Sequence, residues 1–384
     1  MILAMGQWTN GRFFKLAART ILLLACAAAV CSYILLRPAY GPDTVAYLVL
    51  AESLNGVPAA RIPAATNSLL QNEAPSGQLA AIRQDAWAAQ LLRDIDPVRA
   101  SLPVFSAKFG YVFLVSALQR AGLRYTAGMR LINASAATLL FAVMFLWMRG
   151  FTGFSRAIAA SMLVLFSPLA LGSLKALVPD PLAASLAVVG LWAAFQCRKA
   201  LPGLAFLALS VAVRPDSAIL FAFSAAALYW LEKERRKRFG VVLLCLLAGG
   251  LYLWTQHLGH AYPWGTLVSV ALFAGQPFTF LQYAVVVLRY GFVTFTESAS
   301  IFLFCAIGVL SSASLTAHQR ACAWVQVLCL IRFLVYPAIA PRFFLVQNLV
   351  MLVLVATLFL RKPELQREIT QKVATVAGPT LIAD

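Results

Sequence analysis

The sequence predicts an all-α fold, a polytopic transmembrane helix bundle of about ten spans with a long outer loop that contains interfacial helices. Two observations predict it. Hydrophobic residues make up 61% and charged residues only 12% of the 384 residues, whereas soluble chains carry about 25% charged residues. The apolar residues also come in blocks of about 18 or more, the length that crosses a bilayer as a helix. A soluble fold could not bury that much apolar surface.

The net charge of +17 does not indicate a nucleic-acid partner. Lys and Arg stand mostly in short clusters between apolar blocks, where basic residues orient a membrane protein with those loops in the cytoplasm. The strongest cluster is Lys233–Arg238. The seven cysteines lie in or beside apolar blocks without a CxxC pair, which favours small core residues over disulfides or a metal site. Residues 20–36 follow three basic residues but lack a cleavage pattern, so we expect a retained first span.

Helix direction gives a test of the span assignment. The N-terminus and Lys233–Arg238 should lie on the same side, which requires an even number of crossings between them. The sequence offers seven apolar blocks there: 13–36, 105–121, 127–148, 157–175, 180–197, 201–213 and 216–231. Block 105–121 is short and carries Lys108, so we expect it to lie in the outer interface instead of crossing.

The rest of the chain completes the expected layout. A block at 239–256 crosses next, 281–297 is a second candidate for the interface, and spans at 299–316, 321–338 and 343–360 follow. We therefore predict a first transmembrane module over 1–256, which includes outer loop 37–126. Residues 257–384 then form a second outer loop, variable C-terminal spans and a cytoplasmic tail. Within loop 37–126 we expect helices over 43–54 and 79–95.

Acidic residues next to spans are functional candidates, because charge is costly near a bilayer. Asp43 follows the first span directly, and Asp180 stands in a Pro-Asp-Pro turn. Each has a plain structural explanation as a helix N-cap. The alternative for Asp43 is a general base held at the boundary of water and lipid.

Arginines on the same predicted side strengthen the functional interpretation. Arg214-Pro-Asp216 interrupts an apolar stretch, where a local ion pair or a cap would explain it. Arg342 opens the last span and Arg332 lies inside the preceding one, and a snorkelling side chain would explain both. Several arginines converging on the side of Asp43 indicate phosphate recognition more specifically.

His257 and His260 are the remaining candidates. A histidine pair at this spacing can bind a divalent metal, but a third ligand is missing from the local sequence, which favours an interfacial aromatic loop. The sequence has no P-loop, GxSxG or HExxH motif, and therefore does not indicate a soluble nucleotide-using enzyme.

Six different short motifs follow one another along the chain. They are Pro42-Asp43 with Tyr47 and Ala51-Glu52, then Phe105–Tyr111, Arg130–Asn133, Pro179–Pro181, Arg214–Asp216 and Pro341–Phe344. This series resembles the GT-C superfamily of membrane glycosyltransferases, of the mannosyltransferase and aminoarabinose-transferase kind, which use polyprenyl-phosphate-linked sugars. It covers most of residues 13–256 and the final span. The sequence departs from the group's pattern with one Asp in place of an acidic pair, and with Phe109 where Pro is common.

The resemblance implies a mechanism and a set of site residues. Asp43 would take a proton from the acceptor hydroxyl, which would attack the anomeric carbon with inversion. The donor phosphate would be bound by Arg214, Arg342 and Lys108. The substrate would be bound by Tyr47, Tyr111, Asp180 and Asp216. The partners would be a polyprenyl-phosphate-linked sugar and membrane lipids, in a bacterial inner membrane. Some members use a divalent metal ion, to which His260 would then contribute; no cofactor follows from the sequence itself.

Two other classes compete with the glycosyltransferase. A transporter or flippase of a lipid-linked or small polar substrate predicts charged residues along a path through the bilayer and internal repeats. Here the polar residues favour the outer third, and no repeat is evident. A membrane scaffold without catalytic activity would not need a charged cluster on one face.

Overall fold

A computed structural model describes residues 2–94, 102–258, 264–273, 276–294, 300–312, 314–335 and 341–360. The described part is all-helical, apart from an isolated bridge between Ala39 and Ala176. Its first helices are α1 (Ile2–Leu36), α2 (Pro42–Leu54), α3 (Ile62–Glu73), α4 (Ser76–Gln84), α5 (Ala86–Leu91), α6 (Pro103–Ser106), α7 (Phe109–Arg120), α8 (Tyr125–Arg149), α9 (Phe154–Leu165) and α10 (Pro168–Lys175).

The second half continues in the same way. It contains α11 (Asp180–Leu191) with a π turn (Trp192–Gln196), α12 (Ala200–Val213), α13 (Ser217–Leu231), α14 (Arg235–Leu258), α15 (Trp264–Phe273), α16 (Phe280–Thr294), α17 (Ser300–Leu310), α18 (Ala317–Leu328), α19 (Ile331–Val335), a 3-10 turn (Pro341–Phe344) and α20 (Leu345–Phe359).

The prediction of a helical membrane bundle is confirmed at this level. Four helical stretches of the described residues are long and apolar enough to cross a bilayer: Phe14–Leu36, Tyr125–Arg149, Arg235–Leu258 and Arg342–Phe359. The bent pair α9 and α10 makes a fifth if it counts as one span. Three shorter apolar helices accompany them, at Asp180–Gln196, Ala200–Val213 and Ser217–Leu231.

One helix prediction was wrong, and one predicted span is bent. The segment 79–95 does not form one helix, because the chain breaks at Asp85, whose carboxylate accepts a hydrogen bond from Ala88 N at 2.8 Å and caps α5. The segment 157–175 is not one straight span. Its two helices meet at a 65° bend, where Ser167 caps α10 and Pro168 removes a backbone donor.

The predicted outer loop is a folded layer with its own apolar core. A cluster distinct from the core of the main bundle contains Tyr40, Leu70, Ile82, Leu91, residues all round α2 and one face of α7. Helix α7 has 12 residues and is therefore about 18 Å long. It packs against α2, α8, α12 and α14.

The turns that the sequence predicts to be cytoplasmic meet at one end of the bundle, which we call the basic end. The Arg19 guanidinium of α1 lies 5.5 Å from the Phe154 ring at the start of α9. The turn after α8 lies beside the Gln196 amide. His318, at the start of α18, is within electrostatic range of Arg198. The strongly basic turn before α14 adjoins the same end through α13 and α18.

The opposite end, which we call the cluster end, gathers the other helix termini. Tyr33, near the end of α1, packs on Phe166 after α9 with ring centroids 5.6 Å apart. Asn133 Nδ2 donates to the Ala176 carbonyl at 2.5 Å and holds the segment that leads into α11. Helices α17, α18 and α20 share one core with α1 and α8–α14, so the parts predicted on either side of residue 256 pack as one bundle.

Candidate ion-pair site

Six charged side chains meet at the cluster end. They come from the start of α2, the start of α11, the α12–α13 turn, α19 and the 3-10 turn before α20. We call them the ion-pair cluster: Asp43, Asp180, Arg214, Asp216, Arg332 and Arg342. Their formal charges cancel, so the cluster can exist in a poorly solvated place only because each charge has an opposite neighbour.

Arg214 is the buried centre of the cluster. Its side chain is 8% exposed and pairs with Asp180 and, through Nε at 2.8 Å, with Asp216. Burial and the charge of the neighbouring Arg332 lower the pKa of Arg214 to about 10, although Asp216 opposes the shift. Both carboxylates therefore hold Arg214 in place as an anchor of the cluster.

Asp216 receives a second arginine. Its other oxygen pairs with Arg332, whose side chain is 17% exposed. Burial alone would raise the pKa of Asp216, but the charges of Arg214 and Arg332 outweigh it and bring the pKa to about 2. Asp216 is thus a fixed anion between two cations.

Asp43 and Arg342 form the outermost pair. Arg342 NH2 donates to Asp43 Oδ2, and the side chains are 30% and 26% exposed for Asp43 and Arg342. Arg342 Nε is buried and has no hydrogen-bond partner among the residues that the structure describes. Water can therefore reach this pair, as it can reach Asp216, which is 32% exposed, and Arg342 also has an unused buried donor.

Phe343 organises the three arginines. The guanidinium carbons of Arg214, Arg332 and Arg342 lie 4.5, 5.0 and 5.4 Å from the centroid of its ring, within the range of cation–π attraction. Arg332 also donates from NH1 to the Phe343 carbonyl at 2.7 Å. One aromatic ring thus brings together three like charges that would otherwise repel each other.

A small cavity lies under the cluster. Its polar lining includes Arg214, Asp216 and Ser217 on one side and Gln347 with Cys329 on the other. The volume is about 30 Å³, which is room for about two water molecules. A sugar is much larger, so this cavity would have to widen to hold one.

Lys108 borders the cluster without joining an ion pair in it. Its Nζ donates to the Val104 carbonyl at 2.9 Å and lies 5.1 Å from the Phe105 ring. Burial, aided by the charge of Arg214, lowers the pKa of Lys108 to about 8. Gly110, two residues later, lets the start of α7 lie close to the end of α12, because a Cβ at this position would overlap the Ala212 carbonyl.

The two tyrosines predicted to bind substrate lie behind the cluster. Tyr47 is 3% and Tyr111 0% exposed, and their rings meet edge to face at 5.5 Å. Burial raises the pKa of Tyr47, and the nearby charge of Asp43 adds to this effect. Both rings pack between α2 and α7, close to Asp43.

The structure also shows which simple explanations fail. Neither Asp43 nor Asp180 caps its helix: Gly41 and Pro179 occupy the N-cap positions, and both aspartates lie in the first turn. Asp216 is the N-cap of α13 but makes no capping hydrogen bond with its side chain. The carboxylates face arginines instead, which leaves ion pairing as the local explanation for all three.

Sequence reasoning missed part of the site. Arg332 was explained as a snorkelling side chain, whereas it pairs with Asp216 and holds the Phe343 carbonyl. The available signal was an arginine inside an apolar span. Glu52, part of the motif series, lies elsewhere: it is 3% exposed and accepts a hydrogen bond from Thr66 at 2.8 Å.

The described residues do not test whether His260 helps to bind a divalent metal ion. His260 lies outside the described residues, and His257 is the last residue but one of α14. Among the described residues, no group of three His, Cys, Asp or Glu side chains is arranged to hold a metal ion.

In comparisons with known proteins, no family model, no curated protein and no solved structure matches this chain. What can be said of its role therefore comes from the residues of the ion-pair cluster and from their position at one end of an apolar helical bundle.

Proposed function

We propose that the protein is a membrane glycosyltransferase of the GT-C kind, which transfers a sugar from a polyprenyl-phosphate-linked donor to an acceptor at the outer face of a bacterial inner membrane. One observation carries the proposal: Asp43 from the first loop and Arg342 from the last helix meet at the cluster end. A carboxylate and a guanidinium together are what a proton-accepting base and a phosphate-binding group require.

The chemistry follows from these two groups. The Asp43 carboxylate takes the proton of the acceptor hydroxyl, and the acceptor oxygen forms a bond with the anomeric carbon. The bond between that carbon and the donor phosphate oxygen breaks, and its electron pair stays on the phosphate. Arg342 and Lys108 stabilise the charge that develops there. The products are the inverted glycoside, polyprenyl phosphate and protonated Asp43.

The proposed topology has ten passes. Helices α1, α8, the α9–α10 pair, α11 with the π turn, α12, α13 and α14 would alternate between the basic end and the cluster end, followed by α17, the α18–α19 pair and α20. The basic end would face the cytoplasm, since Lys and Arg accumulate there. Loop 37–126 and the ion-pair cluster would then face outward, where the lipid-linked donor would bind.

Donor turnover tests the proposal. The purified protein, in lipid nanodiscs, is mixed with polyprenyl-phosphate-linked sugars and an extract of envelope glycans, lipids and proteins as the acceptor source. Release of polyprenyl phosphate is measured by mass spectrometry. We expect release with the native chain and a loss of about 10²–10⁴-fold with Asp43→Asn, the range for removing a general base.

Asp85→Asn is the matched control, since Asp85 caps α5 in the same outer layer and does not belong to the cluster. It should retain donor turnover. Full turnover by Asp43→Asn would remove Asp43 from the mechanism. No release with any donor would count against the enzyme class.

One observation favours a transporter as the second candidate. The side chains of Gln326, Gln347 and Asn348 are buried in the apolar bundle, and Gln347 lines the cavity. Their amides include atoms without a hydrogen-bond partner in the described part of the chain. Buried polar groups of this kind mark paths through membrane proteins. Transfer of an intact lipid-linked sugar between leaflets, without phosphate release, would support this class.

A further inference from the structure

The outermost pair of the cluster presents a conflict for the proposed chemistry. Asp43 would have to accept a proton and Arg342 would have to bind the donor phosphate, yet the two side chains bind each other. Arg342 has no second carboxylate in the cluster, whereas Arg214 and Asp216 each have two partners. The Asp43–Arg342 pair is therefore the ion pair in which either side chain can move away without breaking any other ion pair of the cluster.

Exposure points to the same pair. Arg342 is the most exposed of the three arginines, at 26%, against 17% for Arg332 and 8% for Arg214. An incoming anion can reach Arg342 without dismantling the buried centre. Arg342 Nε is an additional donor without a described partner, so the guanidinium can bind a second anionic oxygen in the forked geometry that phosphate favours.

We infer that the Asp43 carboxylate occupies the phosphate site of Arg342 in the resting protein, and that the phosphate of a bound polyprenyl phosphate, esterified to the sugar in the donor and free of it in the product, displaces it. This inference rests on the proposed function and deepens it. Arg342 is then the residue that couples donor binding to release of the base. Before the donor arrives, Asp43 Oδ2 is engaged by the guanidinium; after it arrives, phosphate oxygens take its place and Asp43 is free to contact the acceptor.

The exchange dictates an order of binding. An acceptor that arrives first meets an Asp43 still held by Arg342, and the site stays inactive. A donor that arrives first creates both the bound phosphate and the free base. The remaining ion pairs keep Arg214 and Arg332 in position during the exchange, because Asp180 and Asp216 do not depend on Arg342.

Equilibrium binding of farnesyl phosphate, a short polyprenyl monophosphate, tests the inference, with farnesol as the probe that lacks the phosphate. Removing the competing carboxylate should strengthen binding, although the same change abolishes turnover. We expect Asp43→Asn to bind farnesyl phosphate about fivefold more tightly than the native chain, the size of a competing pair at this exposure. Farnesol binding should be unchanged.

Two variants separate a local exchange from a general charge effect. Glu73→Gln removes a negative charge from the same outer layer, where Glu73 lies near Arg124 and Arg130, and should change binding less than twofold. Asp43→Asn in an Arg342→Met background should bring no gain over Arg342→Met alone, since the competition needs both partners.

A second measurement uses the native chain and does not depend on the fold of a variant. Modification of Asp43 by a water-soluble carbodiimide, measured on its peptide, should increase severalfold when farnesyl phosphate is present, with Asp85 as the internal reference. Protection of Asp43 by farnesyl phosphate would overturn the inference. So would equal or weaker binding by Asp43→Asn, or no preference for farnesyl phosphate over farnesol. Donor turnover by the native chain would leave the proposed function standing in each case.

Discussion

Arg214 and Asp180, 34 positions apart in the chain, form a buried ion pair at the cluster end, and Asp216 holds the same guanidinium from its other side. Two carboxylates thus share one guanidinium, and among the described residues Asp180 forms an ion pair with no other cation. Removing one partner of a buried pair leaves an uncompensated charge, which costs far more than the net value of the pair.

We expect Arg214→Met to lower the free energy of unfolding by about 3–5 kcal/mol, because Asp180 is left unpaired in a buried place. Thermal and denaturant unfolding in detergent measure it. Arg332→Met is the matched comparison and should cost clearly less, since its side chain is more exposed and Asp216 keeps Arg214. Equal losses for the two variants would contradict the central position of Arg214.

Glu52 should make the stability of the outer layer depend on pH. Burial raises the pKa of Glu52 from 4.5 to about 7, with the Thr66 hydrogen bond opposing it. The folded state then holds a proton that the unfolded state has lost, so stability falls as pH rises from about 4.5 to about 7. The expected change is roughly 3 kcal/mol at most.

Glu52→Gln should remove this dependence and be more stable than the native chain above about pH 7, because the amide still accepts from Thr66 without a charge. Unfolding followed across the pH range shows the effect. A native stability that rises between pH 5 and 7, with Glu52→Gln unchanged, would mean that Glu52 is charged in the fold.

Lys108 should make phosphate binding sensitive to alkaline pH. Burial and the charge of Arg214 lower the pKa of Lys108 to about 8, and only the protonated amine attracts a phosphate. Farnesyl phosphate should bind about tenfold more weakly at about pH 9 than at about pH 7. Lys108→Met should bind weakly at both values, with no such decline. An identical decline in Lys108→Met would assign it to another group.

Phe343 should stabilise the arginines through its ring and not through its volume. Phe343→Leu keeps an apolar side chain but removes the π face beneath Arg214, Arg332 and Arg342, and each lost contact is worth about 0.5–2 kcal/mol. We expect lower stability and weaker farnesyl phosphate binding, both restored by Phe343→Trp. If leucine serves as well as tryptophan, the ring acts only by packing.

Residue labelling tests the topology. Ala65 on α3 and Arg235 at the start of α14 are both exposed, and they should lie on opposite sides of the membrane. In a background without reactive native cysteines, Ala65→Cys should react with an impermeant maleimide from the outside of intact cells. Arg235→Cys should react only after permeabilisation. Labelling of both from the same side would defeat the arrangement.

Helix positions were largely predictable from the sequence, whereas the detail of the ion-pair cluster was not. Apolar blocks with basic termini predicted α8 and α14, and the Gly-Pro turn predicted the start of α2. The bend before α10 was missed, because residues 157–175 are uniformly apolar and periodicity alone does not register one proline at position 168.

The members of the ion-pair cluster were found by the cost of charge near a bilayer, not by proximity. That reasoning selected Asp43, Arg214 and Arg342 but could not state which carboxylate faces which arginine. Asp216 shows what such reasoning can and cannot predict. Its ion pair with Arg214, two positions earlier, was predictable, whereas its ion pair with Arg332, on a helix more than a hundred residues later, was not. Phe343 stands in the Pro341–Phe344 motif, but nothing in the local sequence indicates that its ring contacts three arginines.

The span of 299 positions between Asp43 and Arg342 has a consequence for biosynthesis. At ribosomal rates of about 5–20 residues per second, about 15–60 s pass between translation of the two residues. During that interval Arg214 can already pair with Asp180 and Asp216, whereas Asp43 has no arginine to pair with until Arg342 is made. Most of the described helices are therefore synthesised before the Asp43–Arg342 pair can form, and the segment that leads into α20 completes the ion-pair cluster.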